Sequence, residues 1–206
     1  MPFVVNAPAA SFQLDIANAV VGQSALAVSP IDDFYAQRQT VLTLGSGGGL
    51  SSSDRLRALA LVPLFSCAEM YFRRVLASAI SMCPVCEEHA GTQQISLGAA
   101  AAFGRQDRGV AIAEHTGFTS EGEISRRTLK LLDIDTSRNL SLKNAIQEFE
   151  MMCHLRHSIV HCSGELLYLN RRNLDLKVQG RVAVEIPLKE FQEVVLKVSN
   201  VVRSYN

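Results

Sequence analysis

The feature that most narrows the fold is the spacing of apolar residues between positions 54 and 82. Leu64, Ala68, Phe72, Val75, Leu76 and Ala79 recur there at steps of three and four, the repeat that gathers side chains into one stripe of an α-helix. Pro63 lies inside the stretch and, having no N–H to donate, is expected to kink or restart the helix. A second long helix is expected over about 140 to 162. A third is expected over about 188 to 205, with Phe191, Val194, Val195, Val198 and Val201 on one face. Long helices joined by short turns imply an all-α bundle.

The rest of the chain fits around these rods. A helix is expected from about Pro30 to Leu44, with the proline at an N1-like position and Gly45 as the stop. GSGGGLSSSD at 45 to 54 reads as a flexible linker, since no strand precedes it and no Gly-Lys-Ser/Thr follows to make a phosphate loop. Residues 1–52 are therefore an N-terminal helical extension with its linker, and 53–206 the main helical domain. CPVC at 83 to 86 reads as a proline-bearing turn; as half of a zinc site it would need a second ligand pair at matching spacing. TQQISLGAAAAFG at 92 to 104 suggests a short helix ended by Gly104, with irregular chain to about 119. Ser120 and Glu123 form a capping box for an amphipathic helix whose outer face carries Arg126, Arg127 and Lys130. Near 174–186, LDLKV and VAVEI flank Gln179-Gly180 and could pair as a small β-hairpin, made basic by Arg171, Arg172, Lys177 and Arg181.

With 206 residues, 48% of them hydrophobic, the chain can bury a sizeable core in one domain plus an extension. Lys plus Arg and Asp plus Glu each total 20, so no whole-molecule field draws it to polyanions, and any such contact must be local. Apolar runs such as LALVPLF at 59 to 65 fall far short of the roughly 20 residues that cross a bilayer. Residues 1 to 29 lack the basic start of a signal peptide, so a cytoplasmic address without membrane association is expected. The 5 cysteines are an odd number for a disulfide framework, and Cys67, Cys153 and Cys162 read as reduced, packed thiols.

The chemistry concentrates in MMCHLRHSIVHCSGEL, residues 151 to 166. The apolar stripe of this helix runs Leu142, Ile146, Phe149, Cys153, Arg156, Val160, which puts an arginine where a core residue should stand. Desolvating a guanidinium costs several kcal/mol unless acceptors surround it, so either a carboxylate meets Arg156 or the seam opens there. Beside it runs a second stripe, Glu150, His154, His157 and His161. Histidine exchanges protons near neutral pH and arginine holds phosphate through a planar fork of donors. Together they suggest phosphodiester cleavage. Arg156 and His161 lie five positions apart, about 140° around a straight helix and roughly 7.5 Å along it. Convergence is easier if the helix ends at Ser163-Gly164 or if a two-fold partner brings a second copy of the pair into the same cleft.

The run Arg156-His157-Ser158-Ile159-Val160-His161 resembles the signature of the HEPN superfamily: an arginine, a polar residue, three further residues and a histidine, near the end of a long helix and before a small-residue turn. The resemblance covers about 54 to 205. It implies an all-helical HEPN-like bundle, here of about five to six helices, that dimerises so that two motifs share a cleft and cut RNA without metal or other cofactor. It further implies that His161 is the acid–base group, that Arg156 clamps the phosphate, and that His157 orients the pair or touches RNA. The chemistry would be attack of a ribose 2′-hydroxyl on the adjacent phosphate. Members of this kind are often toxins, antiphage defence factors or RNA-processing enzymes, so an antitoxin or other regulatory protein is an expected partner beside RNA and a second copy of the chain.

Two further residues are candidates in supporting roles. Glu69 makes an i, i+4 pair with Arg73 or reaches Arg156 from the facing helix. His154 flanks the motif. A zinc site drawing on Cys153, His157 and His161 has the right spacing for part of a ligand set, but the remaining ligands would have to come from elsewhere. The competing functional class is a non-catalytic helical module that binds RNA, a nucleotide or a protein in the same cleft.

Overall fold

The computed structural model describes residues 29–46, 53–94, 97–103, 108–114 and 116–206, with only the backbone of Ala100 among them. The chain before residue 29, most of the expected linker and Gly104 lie outside these segments. Among the described residues there are nine α-helices and no strand: α1 Pro30–Ser46, α2 Asp54–Met82, α3 Pro84–Gly91, α4 Leu97–Phe103, α5 Arg108–Glu114, α6 Glu121–Leu132, α7 Leu140–His161, α8 Tyr168–Asn173 and α9 Leu188–Tyr205. The class is all-α, with more and shorter helices than the five or six expected. None of the described helices is long and apolar enough to cross a membrane.

The long helix α2 is the axis of the molecule and packs against α1, α3, α5, α6, α7 and α9. Ser53 opens it, its hydroxyl accepting from the Leu56 N–H at 3.5 Å, so one of the donors left over at a helix start is satisfied. Pro63 neither restarts nor ends it. The proline lies on the exposed side, where water can meet the Leu59 carbonyl that its missing N–H leaves without a donor. The opposite face, with Leu61, Leu64, Phe65, Ala68, Phe72 and Leu76, is fully buried.

Aromatic rings from α2, α7, α9 and the chain leading into α6 close the core. Phe72 stacks on Phe118 at 5.9 Å between centroids and meets Phe149 of α7 and Tyr205 of α9 edge-on, the offset geometries that ring quadrupoles favour. The helix α1 contributes Phe34 and Val41 to the same apolar cluster. Polar contacts tie it further to α2: Asp33 pairs with Arg74, and the Cys67 thiol donates to Gln37 at 2.7 Å. Gly45 is not the stop of α1 but part of it. A Cβ there would fall 2.1 Å from Cζ of Phe191, so close approach to α9 is what this glycine permits.

Three other local expectations differ. CPVC opens α3 with Pro84 in its first turn, where a missing N–H costs nothing because it had no partner to lose. The segment expected to be irregular up to 119 contains α5, which lies against α2. The hairpin near 174–186 does not form. VAVEI is extended, with Val184 and Ile186 buried and Ala183 and Glu185 exposed, but LDLKV has no buried face to match it. Val182 and Val184 bond instead to the chain leaving α7, through Leu166 N–H to Val182 O and Val184 N–H to Gly164 O, both 2.7 Å, leaving one isolated bridge, Glu165 to Ala183. The Arg171 guanidinium holds the intervening loop by donating to the carbonyls of Val178 and Gly180.

Candidate functional site

The helix α7 begins at Asn139, whose side chain accepts from the Leu142 N–H at 3.1 Å. Leu142, Ile146, Phe149 and Cys153 are buried as the stripe requires. Beyond Cys153 the seam passes Arg156 and continues to Ile159, which is buried, whereas Val160 is 45% exposed. The expected place of Val160 on the stripe is thus one residue off, because contact with α2 favours a three-residue step on either side of Arg156.

Arg156 is met by a carboxylate. Glu69 of α2, its side chain only 9% exposed, places Oε1 3.0 Å from Nη1 of Arg156 and Oε2 3.5 Å from Nη2 of Arg73. Both readings of Glu69 therefore hold, with the reach across to α7 the shorter contact. Arg73 is shared: its Nε and Nη2 also donate to the carbonyl of Thr116, and its guanidinium lies over the Phe118 ring. The Glu69–Arg156 contact is an ion pair without an aligned hydrogen bond, and neither Glu69 Oε1 nor Arg156 Nε has a hydrogen-bond partner among the described residues. Arg156 keeps 28% of its side-chain surface, so the group is anchored at the seam yet open to solvent. Next to it, burial first and the Glu69 charge second push the Cys153 thiol up to about 12, against a smaller opposing pull from Arg156.

The histidines divide. His157 and His161 are both exposed, with ring centroids 4.8 Å apart and planes tilted by 44°. His154 is half-buried against α8, its Nε2 3.3 Å from the Asn173 amide nitrogen. Glu150 is occupied elsewhere, accepting from the Glu121 N–H at the start of α6. Of the four-member stripe, only the last two converge. No hydrogen bond joins Arg156 to either of them among the described residues. Nor do the described residues contain any group of three or more His, Cys, Asp or Glu side chains that could hold a metal ion.

Directly after His161 the chain turns. Ser163 and Gly164 take φ of 52° and 85°, left-handed values that suit the glycine. The Ser158 carbonyl accepts from both Cys162 N–H and Gly164 N–H. The Ser158 hydroxyl accepts from the buried Asn170 amide at 2.7 Å, so this residue between Arg156 and His161 pins α8 to α7. One cation that sequence reasoning missed stands here. Arg55, in the first turn of α2, donates to the Ser163 carbonyl at 3.3 Å. With Cys162, Ser163, Glu165, Arg181 and Val182 it lines a hollow of about 340 Å³. Nothing in the sequence marks Arg55, because only the meeting of α2's start with α7's end brings it to the motif.

No family model, no curated protein and no solved structure matches this chain.

Proposed function

We propose that this chain is a metal-independent endoribonuclease of the HEPN type, working as a homodimer in which the Arg156–His161 segments of two copies face one cleft. The observation that carries this reading is the pairing of His157 and His161 on the exposed last turns of α7, next to an arginine that a buried carboxylate holds at the seam. Within one chain Arg156 and His161 have no bond to each other, and a second copy is what supplies the complementary group.

In this mechanism a ribose 2′-hydroxyl attacks the adjacent phosphorus, which requires RNA. One His161 accepts the hydroxyl proton, and the copy on the other protomer donates a proton to the departing 5′-oxygen. Charge building on the non-bridging oxygens is met by guanidinium N–H groups of Arg156 not engaged by Glu69. The products are a 2′,3′-cyclic phosphate and a free 5′-hydroxyl. His157 steadies its neighbour or touches RNA. Arg55, beside the turn after His161, gives an electroneutral chain a local foothold for phosphates, whereas Arg181 in the same hollow is held by both oxygens of Glu165. Such an activity fits a toxin or antiphage factor and calls for a restraining partner, such as an antitoxin, or a trigger.

The test is incubation of purified protein with mixed-sequence RNA in EDTA, beside Arg156→Ala and His161→Ala. Cleavage with cyclic-phosphate ends is expected from the native chain, reduced by at least about 100-fold in either variant, with helicity and dimerisation unchanged. Cleavage that survives both substitutions, or that needs a divalent metal, overturns the proposal. The second reading, a helical module that binds without turnover, is favoured by one observation, the engagement of Arg156 with Glu69. It predicts saturable RNA binding and no product.

A further inference from the structure

Cys83 and Cys86 occupy a position that neither the packing of the core nor the proposed cleavage uses. The Cys83 N–H donates to the Ala79 carbonyl at 2.9 Å, closing α2, and the same residue is the N-cap of α3. Pro84 brings no N–H to the first turn, so the donors at the mouth of α3 are those that follow it. The Cys83 side chain makes no capping hydrogen bond, and the Cys86 backbone and thiol beside it hold the Cys83 thiol below the usual thiol range. Cys86, one turn further on, is only 8% exposed. Burial first, then the neighbouring Cys83 thiol, push its thiol up. The two thiols stand one helical turn apart with unequal exposure, Cys83 half-exposed and Cys86 buried behind it.

We propose that Cys83 and Cys86 form a reversible dithiol–disulfide centre whose substrate class is low-molecular-weight disulfides, with Cys83 the attacking thiol and Cys86 the resolving one. The Cys83 thiolate attacks one sulfur of the small disulfide, forming a mixed disulfide and expelling one thiolate. Cys86 loses its proton and attacks the Cys83 sulfur, forming the internal disulfide and expelling the second thiolate. The two protons given up by the protein's thiols appear on the two departing thiols, so the dithiol is oxidised and the small disulfide reduced. An N-cap and the residue three positions on have Cα atoms about 5–6 Å apart, within the range a disulfide spans. This centre is independent of the nuclease reading.

The remaining cysteines serve as references within the same chain. Cys67 and Cys153 are buried with thiols pushed up chiefly by burial, and Cys162 is half-buried at the end of a helix, not the start of one. In the reduced native chain a short pulse of iodoacetamide, read by peptide mass spectrometry, should label Cys83 at least about ten-fold faster than Cys162, with Cys67 and Cys153 slower still. Exposure to oxidised glutathione should remove two hydrogens, mapped to the Cys83–Cys86 peptide. Cys86→Ser should instead retain one glutathione on Cys83, and Cys83→Ser none at that turn, with circular dichroism confirming that both variants are folded. Labelling of Cys83 no faster than Cys162, a disulfide between other cysteines, or a folded Cys86→Ser chain that carries no glutathione would overturn the proposal. The labelling comparison uses the native chain and stands whatever the variants do.

Discussion

Replacing Glu69 by glutamine keeps the shape of the side chain and removes the charge that faces two guanidinium groups. At 3.0 Å from Arg156 the gross attraction is about 5 kcal/mol at an effective dielectric constant of about 20, and desolvation of a carboxylate with 9% exposure cancels much of it. Stranding one partner of a buried pair usually costs about 3–5 kcal/mol. Here the survivors have outlets: Arg156 retains 28% of its surface and Arg73 keeps the Thr116 carbonyl. The expected loss is therefore about 2 kcal/mol, or about 4–8 °C in Tm for a chain of this size. Urea unfolding followed by circular dichroism should be run on the native chain, Glu69→Gln, Arg156→Met and the double variant. Coupling between the two positions should be about 1.5 kcal/mol, with the double variant regaining part of the stability that the glutamine variant loses. A Glu69→Gln chain within about 0.5 kcal/mol of native, or strict additivity in the double variant, would refute the claim that Glu69 anchors Arg156. If the nuclease reading holds, Glu69→Gln lowers kcat through a mispositioned Arg156 and leaves KM within about two-fold.

Two other perturbations follow from the packing around α1 and α7. Gly45→Ala places a methyl group against the Phe191 ring. Overpacking of about 1–3 kcal/mol should outweigh the gain of about 0.5–1 kcal/mol that alanine brings to a helix, so a lower urea midpoint is expected, and an unchanged or higher one would contradict the close approach of α1 and α9. The Cys153 thiol, raised from 9.0 to about 12 in the fold, stays protonated where the unfolded chain has already ionised. Its contribution is fully present below about pH 9 and is lost as pH rises toward 12, at about 1 kcal/mol between pH 9 and 10. Urea unfolding of Cys153→Ala across that window should show an alkaline decline flatter by that amount; parallel declines would mean that the thiol is not shielded as described.

Much of the helical framework was legible because helix formation is local. Main-chain bonds span four residues, so the apolar repeat placed α2, α7 and α9 within a residue or two of their ends, and Ser120 is the cap of α6 that its spacing implied. Reading failed where an element's partner lay far along the chain. The alternation of VAVEI was a true sign of extended chain, yet the neighbour it pairs with is Gly164–Leu166 and not LDLKV. Gly45 reads as a stop in any local scheme, and only the Phe191 ring shows why glycine stands there.

For the candidate site, the order of residues alone determined that an arginine falls on the buried stripe of α7 and that His157 and His161 share a face at its end, since both follow from 100° of turn per residue. Tertiary structure decided that Glu69 meets Arg156 while also touching Arg73, that His154 and Glu150 turn to α8 and α6, and that Arg55 comes to lie beside the turn after His161. A charged side chain takes whichever counter-group the packing of distant helices delivers within a few ångströms, and that distance is set by the shape of the whole core.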